Sequence, residues 1–435
     1  MPRRVLAPEM GTAQSFNSIR KRGAAERRSC MANLPPPPHA DSIPAAMSDM
    51  KTQSAPLRKF REYLAGQREA MLGTLRQFVE IESPSSDKAA VDRCGAKVAE
   101  EWRKRARVEI LPHEVRGDLL RAEIAPRQAE SEKQILVLGH FDTVYPIGTL
   151  ARTPFRIADG RAWGPGTHDM KGGIVLALFA ADALRAAGIE PRRKIVFLWT
   201  SDEEIGSDAA RPLIESEARK SAAVLVLEPP FGPDGRAKTR RKGIGGIEVV
   251  VHGRAAHAGI NPEEGVNAVH ELALQIARLI EMNDPQRGIT VQANVISGGT
   301  TSNVVPDSAR AQVDVRFSNL SDAKPLEEKL LGLRPILPGA KIEIRGGINR
   351  PPLERTKGVE EIFHHAQGLA RELGFDLGEA STGGGSDGNL TGAMGIPTLD
   401  GIGAVGDGAH SERECVVIEA LPQRAALIAG LLATL

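Results

Sequence analysis

From residue 57 onward, short apolar segments of strand length alternate with longer segments of helical period, and this alternation restricts the chain to few folds. Helical spacing occupies "FREYLAGQREAMLGTLRQFVEI" and "AAVDRCGAKVAEEWRKR", and strands are predicted at "RVEILP", "LLRAEIA" and "QILVLGH". A helix follows in "KGGIVLALFAADALRAAG", a strand in "KIVFLWTSDEE", a helix in "ARPLIESEARK" and a strand in "AAVLVLEPP". Apolar strands separated by helices imply an α/β domain whose sheet is covered on both faces.

Near residue 245 the order changes. "GIEVVVHGR" reads as a strand, "EEGVNAVHELALQIARLIEM" as a helix, "ITVQANVISGG" and "SARAQVDVRFS" as strands, "DAKPLEEKLLGL" as a helix and "AKIEIRGG" as a strand. That βαββαβ order is the split pattern of a ferredoxin-like sandwich, which buries a core on one face of an antiparallel sheet. The α/β pattern then resumes with the helix "VEEIFHHAQGLARELG", a Gly-rich loop, the strand "IPTLDGIG" and the helix "LPQRAALIAGLLATL". The expected organisation is an extension over 1–56, an α/β domain over 57–246, an inserted α+β domain over 247–347 and the rest of the first domain over 348–435.

Composition removes several classes of function. Lys+Arg 56 against Asp+Glu 55 leaves a net charge of +1, so no global basic field points to nucleic acid or an anionic membrane. No apolar run approaches the roughly 18 residues of a membrane span. Cys30, Cys94 and Cys415 are too few and too scattered for a disulfide framework or a thiolate zinc site, so a reducing, cytoplasmic setting is expected. The extension mixes Arg3, Arg4, Arg20, Lys21, Arg22, Arg27 and Arg28 with polar residues before "LPPPPHADSIPAA", and is expected to be disordered. It lacks the apolar core of a secretory signal; its arginines leave a targeting role as the alternative, and Met47 and Met50 are alternative starts.

Polar residues collect where strands end. His140 and Asp142 follow "ILVLG", Asp169 lies in "GPGTHDMKGG", Glu203 and Glu204 follow "IVFLWTSD", Glu228 follows "AAVLVL", and His410 lies in "GDGAHSERE". Carboxyl ends of strands in an α/β sheet converge on the ligand-binding edge. Two histidines with an excess of carboxylates suit borderline divalent ions such as zinc, and the surplus of acid suggests two ions. Residues i and i+2 of a strand share a face, so Asp142 is placed to accept the second ring N–H of a metal-bound His140. Adjacent Glu203 and Glu204 point different ways, so one is expected to bind metal and the other to remain free as a base. Each residue has a bland alternative: a core histidine, a solvated Glu-Glu turn, a strand terminator at Glu228, a helix cap at Asp169. Taken together these alternatives require repeated coincidence after strands of one domain.

"GHFDTV", "GPGTHDMKGG", "TSDEEIGS", "VLEPP", "GRAAHAG", "SNVVPD", and "TGGGSDG" followed by "GAHSERE" resemble the co-catalytic zinc amidohydrolases. That family includes glutamate carboxypeptidase of the folate-cleaving G type, acetylornithine deacetylase and succinyl-diaminopimelate desuccinylase. The resemblance runs in order from about residue 57 to the end, and "GGINRPP" with "TGGGSDG" brings the carboxypeptidase branch nearest. It implies a mixed-sheet catalytic domain interrupted by a dimerisation (lid) domain, two Zn2+ with Co2+ or Mn2+ as alternatives, and a homodimer formed through the insert. His140 and Glu228 would hold one ion, Glu204 and His410 the other, and Asp169 would bridge them. Asp142 would orient His140, Glu203 would be the general base, and a cis peptide is expected at Asp169–Met170.

The resemblance also implies that His257 of "HGRAAHAG" reaches the active site of the partner subunit. Asn303, Arg316 and Arg350 match positions that look like carboxylate recognition, for which a guanidinium is suited. Alternatives are a surface charge for Arg316 and a hinge cap for Arg350. Gly384 and Gly385 of "TGGGSDG" are candidates to offer N–H groups to a substrate carboxylate. "GIGAVG" at 401–406 satisfies the dinucleotide pattern but opens no helix, so nucleotide binding is not expected. Neither a nucleophilic serine elbow nor a catalytic cysteine is expected. The expected activity is release of a C-terminal amino acid, plausibly glutamate, from a small peptide or N-acyl conjugate. The alternatives are an N-acyl amino acid deacylase or desuccinylase, and a non-hydrolytic metal-binding relative.

Overall fold

The computed structural model describes residues 55–435. The expected disordered extension lies outside the described residues, except that its last two residues open the first helix, Ala55–Ala65. The first helical segment of the sequence is in fact two helices, Ala55–Ala65 and Arg68–Val79. The break falls at Gly66, where a low helix propensity lets the chain turn and bury Phe60 and Leu64 together with Met71 and Leu75.

A six-stranded mixed sheet organises the α/β part, in the order Arg107–Leu111, Leu119–Ile124, Ile195–Thr200, Gln134–His140, Ser221–Val226, Thr398–Leu399. The first two pairings are antiparallel and the other three parallel. Ile135 and Val137 of the central strand enter one apolar cluster, while Leu136 and Leu138 enter another on the opposite face. This two-sided burial is why "QILVLGH" reads as a continuous apolar run. Helices Gly172–Ala187, Lys357–Leu373 and Ala420–Thr434 cover the first face, and Arg211–Arg219 covers the second.

The βαββαβ segment folds as read. Its four strands pair antiparallel in the order Thr290–Gly298, Ser308–Phe317, Gly243–His252, Lys341–Arg350. Helices Ala268–Ile280 and Leu320–Leu331 close one face over a separate core that includes Val249, Val251, Leu272, Val313, Val315, Leu326 and Leu330. The bounds 247 and 347 fall inside the first and last of these strands.

Besides the short pair Ala256–His257 with Val304–Val305, two small sheets among the described residues escape the sequence pattern because their strands are only two to five residues long. One joins Gly406–Asp407, Cys415–Val417, Arg161–Trp163 and Arg156–Ala158; the other pairs Ala237–Arg241 with Glu379–Thr382. They carry the C-terminal third of the chain back to the edge where His140 ends its strand.

Helix Gly172–Ala187 approaches that edge closely at Gly173, where an added Cβ would press on the Leu227 carbonyl oxygen and lie 2.7 Å from Met170 Cε. Gly173→Ala gains about 1 kcal/mol of helix propensity, but the carbonyl is backbone and cannot swing away, and overpacking costs roughly 1–3 kcal/mol. A lower urea midpoint is therefore expected in equilibrium unfolding.

Candidate metal centre

Three neighbouring parallel strands deliver the site. Gln134–His140 ends on His140 itself, Ile195–Thr200 runs into Glu203 and Glu204, and Ser221–Val226 runs into Glu228. Asp169 comes from the tight turn Thr167–Lys171 before helix Gly172–Ala187, and the Asp169–Met170 peptide is cis. His410 sits in the loop between Gly406–Asp407 and Cys415–Val417, with a φ of 61°.

These side chains meet. His140 Nε2 lies 3.2 Å from Asp169 Oδ1 and 3.3 Å from Glu228 Oε1. His410 Nε2 lies 3.3 Å from Asp169 Oδ2 and 3.1 Å from Glu204 Oε2. The result is two clusters, each with one imidazole nitrogen facing two carboxylates, sharing Asp169 through different oxygens. Ligand atoms of His140, Asp169 and Glu204 fall within 4.8 Å of one another, as do those of His140, Glu203 and Glu228. Glu203 therefore borders the first position instead of standing apart from it.

The donors fit divalent cations. Asp142, Asp169, Glu203, Glu204 and Glu228 crowd one edge, and Glu204 Oε1 is buried with no hydrogen-bond partner. A buried acceptor left bare is costly, and a cation would satisfy it. Burial pushes the Glu203 carboxyl well up against the pull of Arg350, and burial also raises Glu204. Hydrogen bonds to Asp169 and Glu204 raise the His410 imidazole to about 11. Burial would lower His140, yet Asp142, Asp169 and Glu228 hold it well above the usual imidazole range. Two imidazole nitrogens facing several carboxylates make an N,O donor set that suits zinc-like divalent ions.

The supporting contacts fix the ligands. The Asp142 main-chain oxygen is 3.0 Å from His140 Nδ1, closer than its carboxylate at 3.4 Å, so backbone and side chain share the orienting role read from the sequence. The Asp142 carboxylate also accepts from Ser85 Oγ at 2.6 Å and from the backbone N–H groups of Glu203 and Glu204 at 3.3 and 3.2 Å. One carboxylate thus registers two of the strand ends.

The peptidase family M20/M25/M40 model matches residues 136–434, which takes in His140, Asp142, Asp169, Glu203, Glu204, Glu228 and His410. The chain belongs to this family. It is 32% identical to carboxypeptidase G2 of Pseudomonas sp. (strain RS-16) over 83% of this chain and 88% of that protein. It is 30% identical to succinyl-diaminopimelate desuccinylase of Dechloromonas aromatica (strain RCB) over 69% of this chain and 83% of that one. In fold it resembles a tripeptidase of Staphylococcus aureus (TM-score 0.69, 21% identity, 84% of this chain and 98% of that one). It likewise resembles a dinuclear metal-binding peptidase of Bacillus subtilis (TM-score 0.63, 18% identity, 85% and 98%). The chain is accordingly a metal-dependent hydrolase of the peptidase and amidohydrolase type.

The remaining sequence-derived residues of this M20-family hydrolase fall in different places. His257 and Asn303 lie beside one another, where Ala256–His257 pairs with Val304–Val305. Both are exposed; His257 Nδ1 accepts the N–H groups of Gly259 and Ile260, and neither residue bonds to the metal-site residues of its own chain. Arg316 grips Asp314 with two nitrogens and donates to the Gly383 carbonyl at 3.3 Å, which brings it to the Gly-rich loop. The Gly384 and Gly385 carbonyls accept from Arg241 Nη1 at 3.2 and 2.9 Å. Arg350 is 4% exposed and bonds Glu203, Asp387 and Ser207, which places its guanidinium beside the cluster of carboxylates.

Sequence reading missed several supports. Glu414 accepts the N–H groups of Gly166, His168 and Asp169 at 2.9, 2.7 and 2.8 Å and the Tyr145 hydroxyl at 2.6 Å, fixing the turn that carries Asp169. Nothing in "HSERE" separates buried Glu414 from exposed Glu412. Arg241 bonds Asp400 at 2.7 and 2.8 Å and reaches Glu228 Oε2 at 3.4 Å. Gly384-Gly385-Ser386-Asp387-Gly388 does have the spacing of a nucleophile elbow, but Ser386 is fully buried and its hydroxyl donates to Asp400, with no histidine on it.

Proposed function

We propose that the protein is a two-metal amide hydrolase that releases a C-terminal amino acid, glutamate first among candidates, from a small peptide or N-acyl conjugate. The observation that carries this reading is the pair of His–carboxylate clusters sharing Asp169, with Glu203 at their border. His140, Asp169 and Glu228 would hold one divalent cation, and His410, Asp169 and Glu204 the other, with zinc favoured by the mixed imidazole and carboxylate donors. Such a pair, when bound, lowers the pKa of a shared water towards about 7 and polarises a carbonyl.

The chain's own residues do the rest. Asp142 holds the His140 ring with Nε2 facing the site. Glu203 takes a proton from the attacking water as the water oxygen bonds the scissile carbonyl carbon; the C–N bond then breaks, the same proton passes to the departing amine and the acyl part leaves as a carboxylate. Arg316 and Asn303, with the backbone of Gly384 and Gly385, are proposed to receive the free carboxylate of the leaving amino acid.

Likeness to carboxypeptidase G2 over 88% of its length supports release of a C-terminal amino acid, and the resemblance of "GGINRPP" and "TGGGSDG" to glutamate carboxypeptidase supports glutamate as that residue. Likeness to the desuccinylase supports an N-succinyl amino acid as the second candidate. We further propose a cytoplasmic homodimer. Cys94 and Cys415 are free and buried, edge strand Thr290–Gly298 pairs on one side only, and Val295 and Ile296 stand exposed on it at 54% and 59%. An exposed His257 whose Nδ1 accepts two loop N–H groups and whose Nε2 has no hydrogen bond among the described residues fits an approach to the site of the partner subunit.

Removing metal with a chelator is expected to abolish hydrolysis, and zinc, cobalt or manganese to restore it. On a panel of N-acyl amino acids, N-acyl glutamates are expected to exceed N-succinyl-diaminopimelate in kcat/KM by roughly 10-fold or more. Full activity in stripped, metal-free protein would end this reading; the opposite substrate ranking would move it to the desuccinylase.

A further inference from the structure

Glu203, the proposed base, is gripped from behind by residues outside the two His–carboxylate clusters. Arg350 Nη2 donates to Glu203 Oε1 at 2.9 Å and to the Glu203 main-chain oxygen at 3.0 Å. One bond aims the carboxylate and the other fixes its backbone. The second arm, Nη1, donates to Asp387 Oδ1 at 2.7 Å. Asp387 also accepts from Ser207 Oγ at 2.5 Å and from Thr200 Oγ1 at 3.2 Å, and Ser207 Oγ accepts from Arg350 Nη2 at 2.9 Å.

The network is closed and buried. Asp387 and Arg350 are 3% and 4% exposed, and Ser207 and Thr200 are fully buried. A buried guanidinium beside Glu203 alone would collapse into a two-pronged pair occupying both carboxylate oxygens. Sharing it with Asp387 leaves one prong for Glu203, whose Oε2 has no hydrogen bond among the described residues. Removing Asp387 would free that arm and leave a buried cation half-paired, which is costly enough to move it.

We propose that Asp387 and Arg350 are positioning residues for the base: Asp387 fixes the guanidinium, and the guanidinium fixes Glu203 with Oε1 engaged and Oε2 open to the reacting water. This rests on the reading of Glu203 as base. The arrangement also ties the base to the inserted sheet, because Arg350 ends its strand Lys341–Arg350 and Asn349 Nδ2 donates to the Gly206 carbonyl at 3.2 Å in the turn that carries Glu203. Base orientation thereby depends on where that sheet sits.

The test uses the full, zinc-loaded chain and the N-acyl amino acid it hydrolyses best. Asp387→Asn is expected to lower kcat roughly 10–100-fold, the range of outer supporting contacts, with KM within about threefold and bound zinc unchanged by elemental analysis. Arg350→Ala is expected to lose kcat at least as severely, with partial recovery on adding guanidinium ion. The double variant Arg350→Ala/Asp387→Asn is expected to be no slower than Arg350→Ala, because Asp387 acts through Arg350 and the two losses do not add.

Additive losses, loss of zinc, or an Arg350→Ala defect confined to KM would overturn the proposal, the last making Arg350 a substrate clamp. Should Asp387→Asn fail to fold in a thermal melt, Ser207→Ala loosens the same network and carries the same readouts. An active Glu203→Gln would defeat the base assignment itself, whereas an inactive Glu203→Gln beside a normal Asp387→Asn defeats only the positioning.

Discussion

Glu203→Gln is expected to lower kcat by roughly 10²–10⁴-fold, about 3–5 kcal/mol of transition-state stabilisation, while fold and metal content stay as they are. The substitution is nearly isosteric. Its amide oxygen can still accept from Arg350, and the backbone N–H of residue 203 still reaches Asp142, so the turn keeps its place. What disappears is the capacity to take a proton. Glu204→Gln, one residue away, is expected to behave differently. Glu204 Oε2 faces His410 and Oε1 is buried and bare, so this change removes a donor, and zinc should be lost together with activity. Elemental analysis and steady-state kinetics on both variants separate the two roles. Retained turnover in Glu203→Gln, or zinc loss equal to that of Glu204→Gln, would mean that Glu203 is a ligand and the proton acceptor lies elsewhere. The second outcome is a real contest, because Glu203 shares a 4.8 Å neighbourhood with His140 and Glu228.

The parts of this fold that were legible are those whose residues obey a local period or sit at a strand end. "QILVLGH" announces a strand buried on both faces, and His140 at its tip is an ionisable group that interior packing alone would not place there. Ligands on successive strands carry the same signal, which is why the set from His140 to Glu228 could be collected without a structure. His410 was collected with them from its place after "IPTLDGIG", but its assignment to an ion needed the resemblance, because the strands that flank its loop have only two and three residues, too short to have a period. The supports were not legible for a different reason. Glu414, Asp387 and Arg241 act on residues 13 to 248 positions away, and their charge in the sequence looks like any surface charge. Arg350 shows the same gap: a guanidinium suits a carboxylate clamp, but its bonds to Glu203, Asp387 and Ser207 could not be read from "GINRPP".

Asp169→Ala is expected to cost the protein both metal ions, whereas Asp142→Asn should only weaken their binding. Asp169 turns Oδ1 to His140 at 3.2 Å and Oδ2 to His410 at 3.3 Å, so one truncation opens both clusters at once. Burial works against its charge, but the two imidazoles hold its carboxyl well below the usual range, ready to bind cations. Asp142 meets His140 at its far nitrogen, and the Asp142 carbonyl at 3.0 Å remains after the change, so the ring keeps its direction while losing a charged neighbour. Loss of such an orienting partner typically costs about 10–100-fold in metal affinity, and loss of a bridging ligand should exceed that range. His410→Ala opens one cluster and is expected to retain about half of the roughly two ions of a co-catalytic pair. Competition against a graded series of chelators, read by elemental analysis, orders the three variants: Asp169→Ala weakest, His410→Ala retaining the His140 ion, Asp142→Asn retaining both at reduced affinity. If Asp169→Ala still held two ions, the shared carboxylate would not be the bridge, and the two positions would have to be independent sites.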